Sequence, residues 1–225
     1  MKAAVITFPG SNCDRDAVVA LQKVGAKLQR VWHQETKLDD NLDLIIVPGG
    51  FSYGDYLRSG AMASISPVMN EVKRLANRGT RVLGICNGFQ ILTEAGLLPG
   101  ILLRNKKMKF ICRTVNLRVE NIDSPFTKKY KKHQTVRVPI AHMDGNYFTD
   151  SETIKKLEAE GNIAFRYVDV DGNLTDESNP NGSMFNIAGI FNDKRNVLGM
   201  MPHPERAIDI DTGSKDGLTM FESLI

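Results

Sequence analysis

A short apolar strand, Arg81 to Ile85, runs into Gly84-Ile85-Cys86-Asn87-Gly88-Phe89-Gln90 and then into a segment with helical pattern. Nothing else in the chain restricts the fold as much, because a glycine-flanked strand-to-helix turn is a feature of α/β sheets whose helices start at the strand ends. Flanking glycines leave room where side chains would clash and let a substrate approach the main chain. Such a turn lifts the Cys86 thiol clear of the sheet. The positive end of the following helix then favours thiolate over thiol, so Cys86 is a candidate nucleophile. A buried structural cysteine in a strand-turn-helix corner is the competing reading, since free cysteines are often buried.

The rest of the first half supports the same class. Strands are expected over Lys2 to Thr7, Lys27 to Trp32 and Leu42 to Val47, with a helix after Asp14 and Asp16 that stops at Gly25. A second helix opens at Pro67, runs to Arg78 and is stopped by Gly79. Alternation of this kind predicts an α/β fold, an open and mostly parallel sheet with helices on both faces, and residues 1–225 read as one domain. Beyond it, extended segments are expected over Phe110 to Glu120, Thr135 to Ile140, Ile163 to Val170, Asn186 to Phe191 and Val197 to Met201. Glu152 to Glu160 reads as a helix and Asp171 to Gly182 as a loop.

Hydrophobic content of 42% and charged content of 24% exclude disordered and fibrous classes. Cys13, Cys86 and Cys112 are widely spaced with no CxxC pair, which argues against a disulfide framework or a cysteine-rich zinc site and suits a reducing, cytoplasmic setting. The opening apolar run ends at Pro9-Gly10 and reads as a first strand rather than a signal peptide. No apolar run approaches the roughly 20 residues that span a bilayer, so no membrane role is expected. Arg104 to Arg137 holds eleven lysines and arginines against two acids, a net of +9, which leaves −6 for the remainder of a chain that totals +3. The basic segment lacks interleaved aromatics, so a nucleic-acid partner is not expected. A solvated face, or docking to an acidic protein, accounts for it instead.

Two further segments carry chemistry. In Met201-Pro202-His203-Pro204-Glu205-Arg206 the proline after His203 favours extended backbone, which would put His203 and Glu205 on one side. A carboxylate on one imidazole nitrogen leaves the other facing a nucleophile, the arrangement of a base and its orienting group. A surface histidine in a proline-stiffened loop remains the alternative. Pro48-Gly49-Gly50 follows an expected strand, so the Gly50 N–H is a candidate oxyanion donor together with the Asn87 N–H, or else the glycines are an ordinary turn. Gln90 falls one helical turn after Cys86, where it lines a substrate pocket or faces solvent. Neither a dinucleotide fingerprint nor a Walker A sequence is present, and no metal ligands are expected.

With these segments assembled, the chain resembles the class I, or triad, glutamine amidotransferases, whose GxCxGxQ turn stands at Gly84 to Gln90 and whose His-x-Glu stands at His203 and Glu205. Phe8 to Asp16, Pro48 to Ser64, Cys86 to Gly100 and Met200 to Ala207 are similar to the stand-alone glutaminase subunits that serve a purine-pathway synthetase. The resemblance implies a flavodoxin-like core and glutamine hydrolysis, with Cys86 as nucleophile, His203 as proton carrier and Glu205 as its orienter. It also implies that ammonia passes to a large synthetase subunit that holds ATP and Mg, with a small third subunit, and that this chain needs no cofactor. Where the family has a small, Gly-rich acidic segment after Ala-His, this chain reads Ala141-His142-Met143-Asp144-Gly145, which leaves His142 without an assigned role.

Overall fold

The expected runs of the first half become β1 (Lys2–Thr7), α1 (Asp14–Lys23), β2 (Lys27–Trp32), β3 (Leu44–Val47), α3 (Pro67–Asn77), β4 (Arg81–Ile85) and α4 (Asn87–Glu94) in a computed structural model that describes residues 1–225. A one-turn α2 (Ala61–Ser64) precedes α3. Pro67 occupies the first turn of α3, where its missing N–H costs nothing, and Val68, Met69, Val72, Leu75 and Ala76 form the buried stripe. The second half supplies β5 (Ile101–Leu103), β6 (Ile111–Val119), β7 (Thr135–His142), β8 (Asn146–Phe148), α5 (Ser151–Ala159), β9 (Ile163–Val168), β10 (Ile187–Phe191), β11 (Val197–Met200) and α6 (Leu218–Ser223).

Nine strands form one open sheet in the order β2-β1-β3-β4-β11-β10-β9-β6-β7. The five from β2 to β11 pair in parallel, and the four that follow extend the sheet with antiparallel pairs. Every residue of β3 and β11, and all of β4 beyond Arg81, is buried. Successive strand residues face opposite sides, so both faces of this part are covered. Each fully buried Leu, Ile or Val there contributes about 1.5–3 kcal/mol relative to exposure.

Several boundaries differ from expectation for local reasons. Leu42 lies outside β3 because its N–H donates to Asp39 O in a turn. Strand β9 stops at Val168, after which the Asp169 carboxylate accepts the N–H groups of Asp171 and Asn173 and folds the chain back. Strand β10 starts only at Ile187 because Phe185 and Asn186 have φ of 50° and 59°. The two-stranded sheet of β5 with β8, the short α2 and the C-terminal α6 carry too few residues to give a periodic signal.

Strands β1, β3, β4 and β11 end on the same edge of the sheet. Ligands gather outside such carboxyl ends, and the segments that emerge there are Phe8–Cys13, Pro48–Asp55, Cys86 with α4, and Met201–Arg206.

Candidate active site

Cys86 sits between β4 and α4 with φ 52° and ψ −107°, its N–H held by Met200 O at 2.8 Å. A non-glycine residue in the left-handed region is strained, and here the nucleophile candidate itself bears that strain. The neighbouring glycines serve another purpose. A Cβ on Gly88 would lie 1.9 Å from Val47 O, and one on Gly84 would lie 2.8 Å from Gly88 O, so both glycines permit α4 to close onto the strands. The Cys86 sulfur is buried and faces Ala141 O at 3.7 Å.

His203 ends the chain's exit from β11 and is 1% exposed. Its backbone is not extended through to Glu205 as expected: Pro204–Arg206 forms a turn of 3₁₀ helix, and His203 is its cap at φ −103°. The turn still joins the pair, with His203 Nδ1 donating to Glu205 Oε1 at 2.7 Å and both side chains buried. Burial works against an imidazolium here, yet the Glu205 carboxylate and the Cys86 sulfur outweigh it and hold His203 well above the usual histidine range. The other ring nitrogen, Nε2, has no aligned hydrogen-bond partner, nor has Glu205 Oε2.

Cys86, His203, Gly50, Phe51, Ala141 and Phe110 line one cavity of about 160 Å³, together with Asn12, Cys13 and Arg206. A larger open cleft of about 570 Å³ lies among Asn77, Leu98, Lys156 and Lys194, but it holds none of the candidate groups, and the small cavity is the one with reactive chemistry. Gly50 has φ 141° and lies so close to Ser11 that a Cβ would fall 2.8 Å from Ser11 Cα. Its N–H and that of Asn87 have no protein partner, which leaves both free for a ligand. The Asn87 side chain ties these parts together: Oδ1 accepts from Ser52 N–H at 3.1 Å and Nδ2 donates to Gln90 Oε1 at 2.8 Å.

Gln90 is buried, not solvated, but it does not line the cavity. Its Nε2 donates to Asp144 O at 2.6 Å and its Oε1 is taken by Asn87, so the amide braces α4 against the β7–β8 turn. Beside it, burial and then the charge of Asp144 raise the Asp55 carboxyl to about 6. His142 also stays out of the cavity. Asn105 grips it by accepting from Nδ1 at 3.1 Å and donating to its carbonyl at 2.9 Å, and burial pushes its pKa down to about 4.

Cys13 joins the site without a catalytic motif of its own, inside the Phe8 to Asp16 segment that carries the family resemblance. It caps α1, and its sulfur receives Arg206 Nη2 at 3.1 Å while donating to Asn12 Oδ1 at 3.0 Å. Apart from that resemblance, the signal is the proximity of Cys13 to the end of β1, because the parallel pairing of β1 with β3 is what sets Asn12 and Cys13 against Gly49. The basic segment divides in two. Arg104 to Lys109 lies beside Phe110 at the cavity, whereas Lys128 to Lys132 follows the far end of β6, eight residues or about 26 Å away.

Known proteins resemble this chain in sequence and fold. Residues 1–216 match the family described as CobB/CobQ-like glutamine amidotransferase domain. The chain is 59% identical to phosphoribosylformylglycinamidine synthase subunit PurQ of Zymomonas mobilis, covering 100% of this chain and 98% of that one. It is 52% identical to the PurQ subunit of Methanosarcina barkeri, covering 100% and 97%. A chain in the structure of PurLQS from Thermotoga maritima superposes with TM-score 0.88 at 46% identity, covering 99% of this chain and 96% of that one. A more distant glutamine amidotransferase from Thermotoga maritima, at 13% identity and TM-score 0.58 with 100% and 90% covered, shares the fold.

Proposed function

Because the chain belongs to the CobB/CobQ-like glutamine amidotransferase family, among its PurQ subunits, we propose that it is the glutaminase subunit of a phosphoribosylformylglycinamidine synthase. The observation that carries this reading is the convergence of the Cys86 sulfur, the His203 ring and Gly50 on one cavity, with Glu205 fixed on Nδ1. Glutamine enters with its side-chain amide toward Cys86. The sulfur attacks the amide carbon, and the oxyanion that forms is met by the N–H groups of Gly50 and Asn87. His203 Nε2 takes the thiol proton and gives it to the departing nitrogen, so that the C–N bond breaks and ammonia leaves. Glu205 holds the ring and balances its charge through both transfers. Water, deprotonated by His203, then attacks the thioester, and glutamate departs with the thiol restored. Gln90 and Asn87 side chains act by bracing α4 and the Gly50 loop rather than by touching glutamine.

Ammonia passes to an ATP-dependent synthetase subunit that holds ATP and Mg and converts formylglycinamide ribonucleotide to its amidine, with a small third subunit in the complex. This chain needs no cofactor for its own step. No helix of the chain is long and apolar enough to cross a membrane, and the reaction suits the cytoplasm. Exposed Phe51 and Phe110 at the cavity, flanked by Arg104 to Lys109, form the face toward the synthetase. The test is glutamate release from glutamine by the chain alone and after addition of nucleotide, synthetase and the small third subunit. Low activity alone and a large rise in the complex are expected. No release of glutamate in the complete mixture would refute the reading.

A further inference from the structure

The Gly50 amide that meets the oxyanion belongs to a loop with a strained backbone. Beyond Gly50, at φ 141°, the residues Tyr53, Asp55 and Leu57 hold φ of 53°, 55° and 69°. Non-glycine residues stay in that region only where the surrounding structure over-determines them. Backbone bonds tie this loop to a second loop. Gly49 O accepts the N–H groups of Asn12 and Cys13 at 3.4 and 3.3 Å, while Phe51 N–H donates to Gly10 O at 3.0 Å and Tyr53 N–H to Pro9 O at 2.6 Å. Ser52 N–H adds the bond to the Asn87 side chain. The tie to β2 and α3 is made by a side chain: Tyr53 Oη lies 2.8 Å from His33 Nδ1, just past β2, and 3.0 Å from Ser66 Oγ, just before α3. We propose that Tyr53 is a positioning residue for the amide hydrolysis, its hydroxyl clamped between His33 and Ser66 so that the Gly50 N–H is fixed toward the oxyanion. The proposal rests on the glutaminase reading.

Both partners are committed to the clamp. Ser66 stands at the N-cap of α3, where a serine side chain ordinarily accepts an N–H of the first turn, yet it makes no capping bond. The Val68 N–H goes instead to His33 O at 3.2 Å, and Ser66 Oγ is turned to Tyr53. His33 is fixed from two further sides, by its own N–H on Thr7 O at 3.0 Å and by the Tyr53 ring, edge-on with centroids 5.5 Å apart. His33 and Ser66 are both buried. Burial holds His33 below the usual histidine range, so near neutral pH the ring is uncharged. With its proton on Nε2, Nδ1 accepts the Tyr53 O–H, which leaves the phenol oxygen to accept the Ser66 O–H. Loss of that hydroxyl would keep the ring packing and remove both bonds. The left-handed turn at Tyr53 is then free to relax, and the Gly50 peptide three residues upstream has no side chain to resist rotating with it.

The test is Tyr53→Phe, which removes one oxygen, compared with wild type in the complete complex. Turnover of glutamine should fall roughly tenfold to a hundredfold with KM within about twofold, a smaller loss than the hundredfold to thousandfold of an oxyanion donor removed outright. L-Glutamate γ-semialdehyde, whose aldehyde adds the Cys86 sulfur and puts its oxygen where the oxyanion forms, should lose affinity by the same factor. Iodoacetamide alkylates a thiolate by displacing iodide and forms no oxyanion, so its rate at Cys86, followed by peptide mass mapping, should not change. Ser66→Ala should give a smaller loss of the same pattern, and the double variant should be no worse than Tyr53→Phe alone. Tyr130→Phe removes a comparable hydroxyl bond, to Asp216 O at 2.7 Å, and should lower the melting temperature without altering turnover. Unchanged turnover or aldehyde affinity in Tyr53→Phe, an equal loss of alkylation at Cys86, or a matching loss of turnover in Tyr130→Phe would overturn the positioning role. A wild-type complex that releases no glutamate would instead overturn the function proposed above, and the aldehyde affinities, which need no turnover, would still report on the Gly50 amide.

Discussion

Cys86 and Cys13 line the same small cavity, both buried, yet the chain presents them differently. Cys86 is forced to φ 52° on a turn between a buried strand and a helix, and its sulfur points to Ala141 O of β7. Cys13 caps α1 with an ordinary φ of −104°, and its sulfur is occupied by Arg206 and Asn12. Burial raises the Cys13 thiol above the usual cysteine range even though His203 and Arg206 pull the other way. A common cavity therefore does not make equal nucleophiles. What separates them is the strained turn that carries one buried sulfur and the hydrogen bonds to Arg206 and Asn12 that engage the other.

The sharpest break in that comparison is Cys86→Ala set against Cys13→Ala, with glutamate release measured in the assembled complex. Loss of the nucleophile should cost roughly 10⁴-fold or more in turnover, whereas loss of Cys13 should cost less than about tenfold, because it removes packing and one Arg206 contact without removing a reacting atom. Comparable losses would erase the distinction. Glu205→Gln comes next. It keeps the shape at His203 but removes the charge and inverts the favoured donor at Nδ1, so turnover should fall about a hundredfold or more while the chain stays folded. Unchanged turnover would mean that another acid orients the ring.

Gly50→Ala probes the floor that the two cysteines share. The backbone at φ 141° resists a side chain, and a Cβ would press on Ser11 and Asn12, next to Cys13. Displacing one oxyanion donor should reduce turnover roughly a hundredfold. A smaller loss, accompanied by lost protection of Cys13 from alkylation, would show that the Asn12–Cys13 segment gives way in place of the donor.

How much of this is readable in the sequence differs between the two cysteines. Cys86 announces itself because its strand, turn and helix are contiguous, and the same local continuity makes β1, α1, β4 and α3 legible. His203 and Glu205 are legible for the same reason, although the proline brings them together through a 3₁₀ turn instead of extended chain. Cys13 is not, because its place in the cavity depends on β1 pairing with β3, a contact about 40 residues apart that leaves no local trace. Gln90 misleads in the opposite way. Its spacing from Cys86 is correct for one helix face, but that face meets the β7–β8 turn, and the amide is spent on Asp144 and Asn87. The split of the basic segment likewise follows from the length of β6, which separates its two clusters by the length of that strand.

The smallest expected effect separates the pH behaviour of the fold from that of the cysteines. His142 is buried with a pKa of about 4, while in the unfolded chain it titrates near 6.5. Between those values the unfolded state holds the proton and the folded state does not, so stability is full above about pH 6.5 and declines as pH falls toward 4. His142→Gln should flatten that decline in a urea-unfolding series without altering labelling of Cys86. A slope unchanged by the substitution would assign the pH dependence to other groups.

The central claim is that Cys86, and not Cys13, forms the covalent bond to glutamine. A glutamine-like electrophile incubated with the complex, followed by peptide mass mapping, tests it most directly. The account predicts a single adduct on Cys86 that glutamine prevents. An adduct on Cys13 or Cys112 with Cys86 unmodified would contradict it.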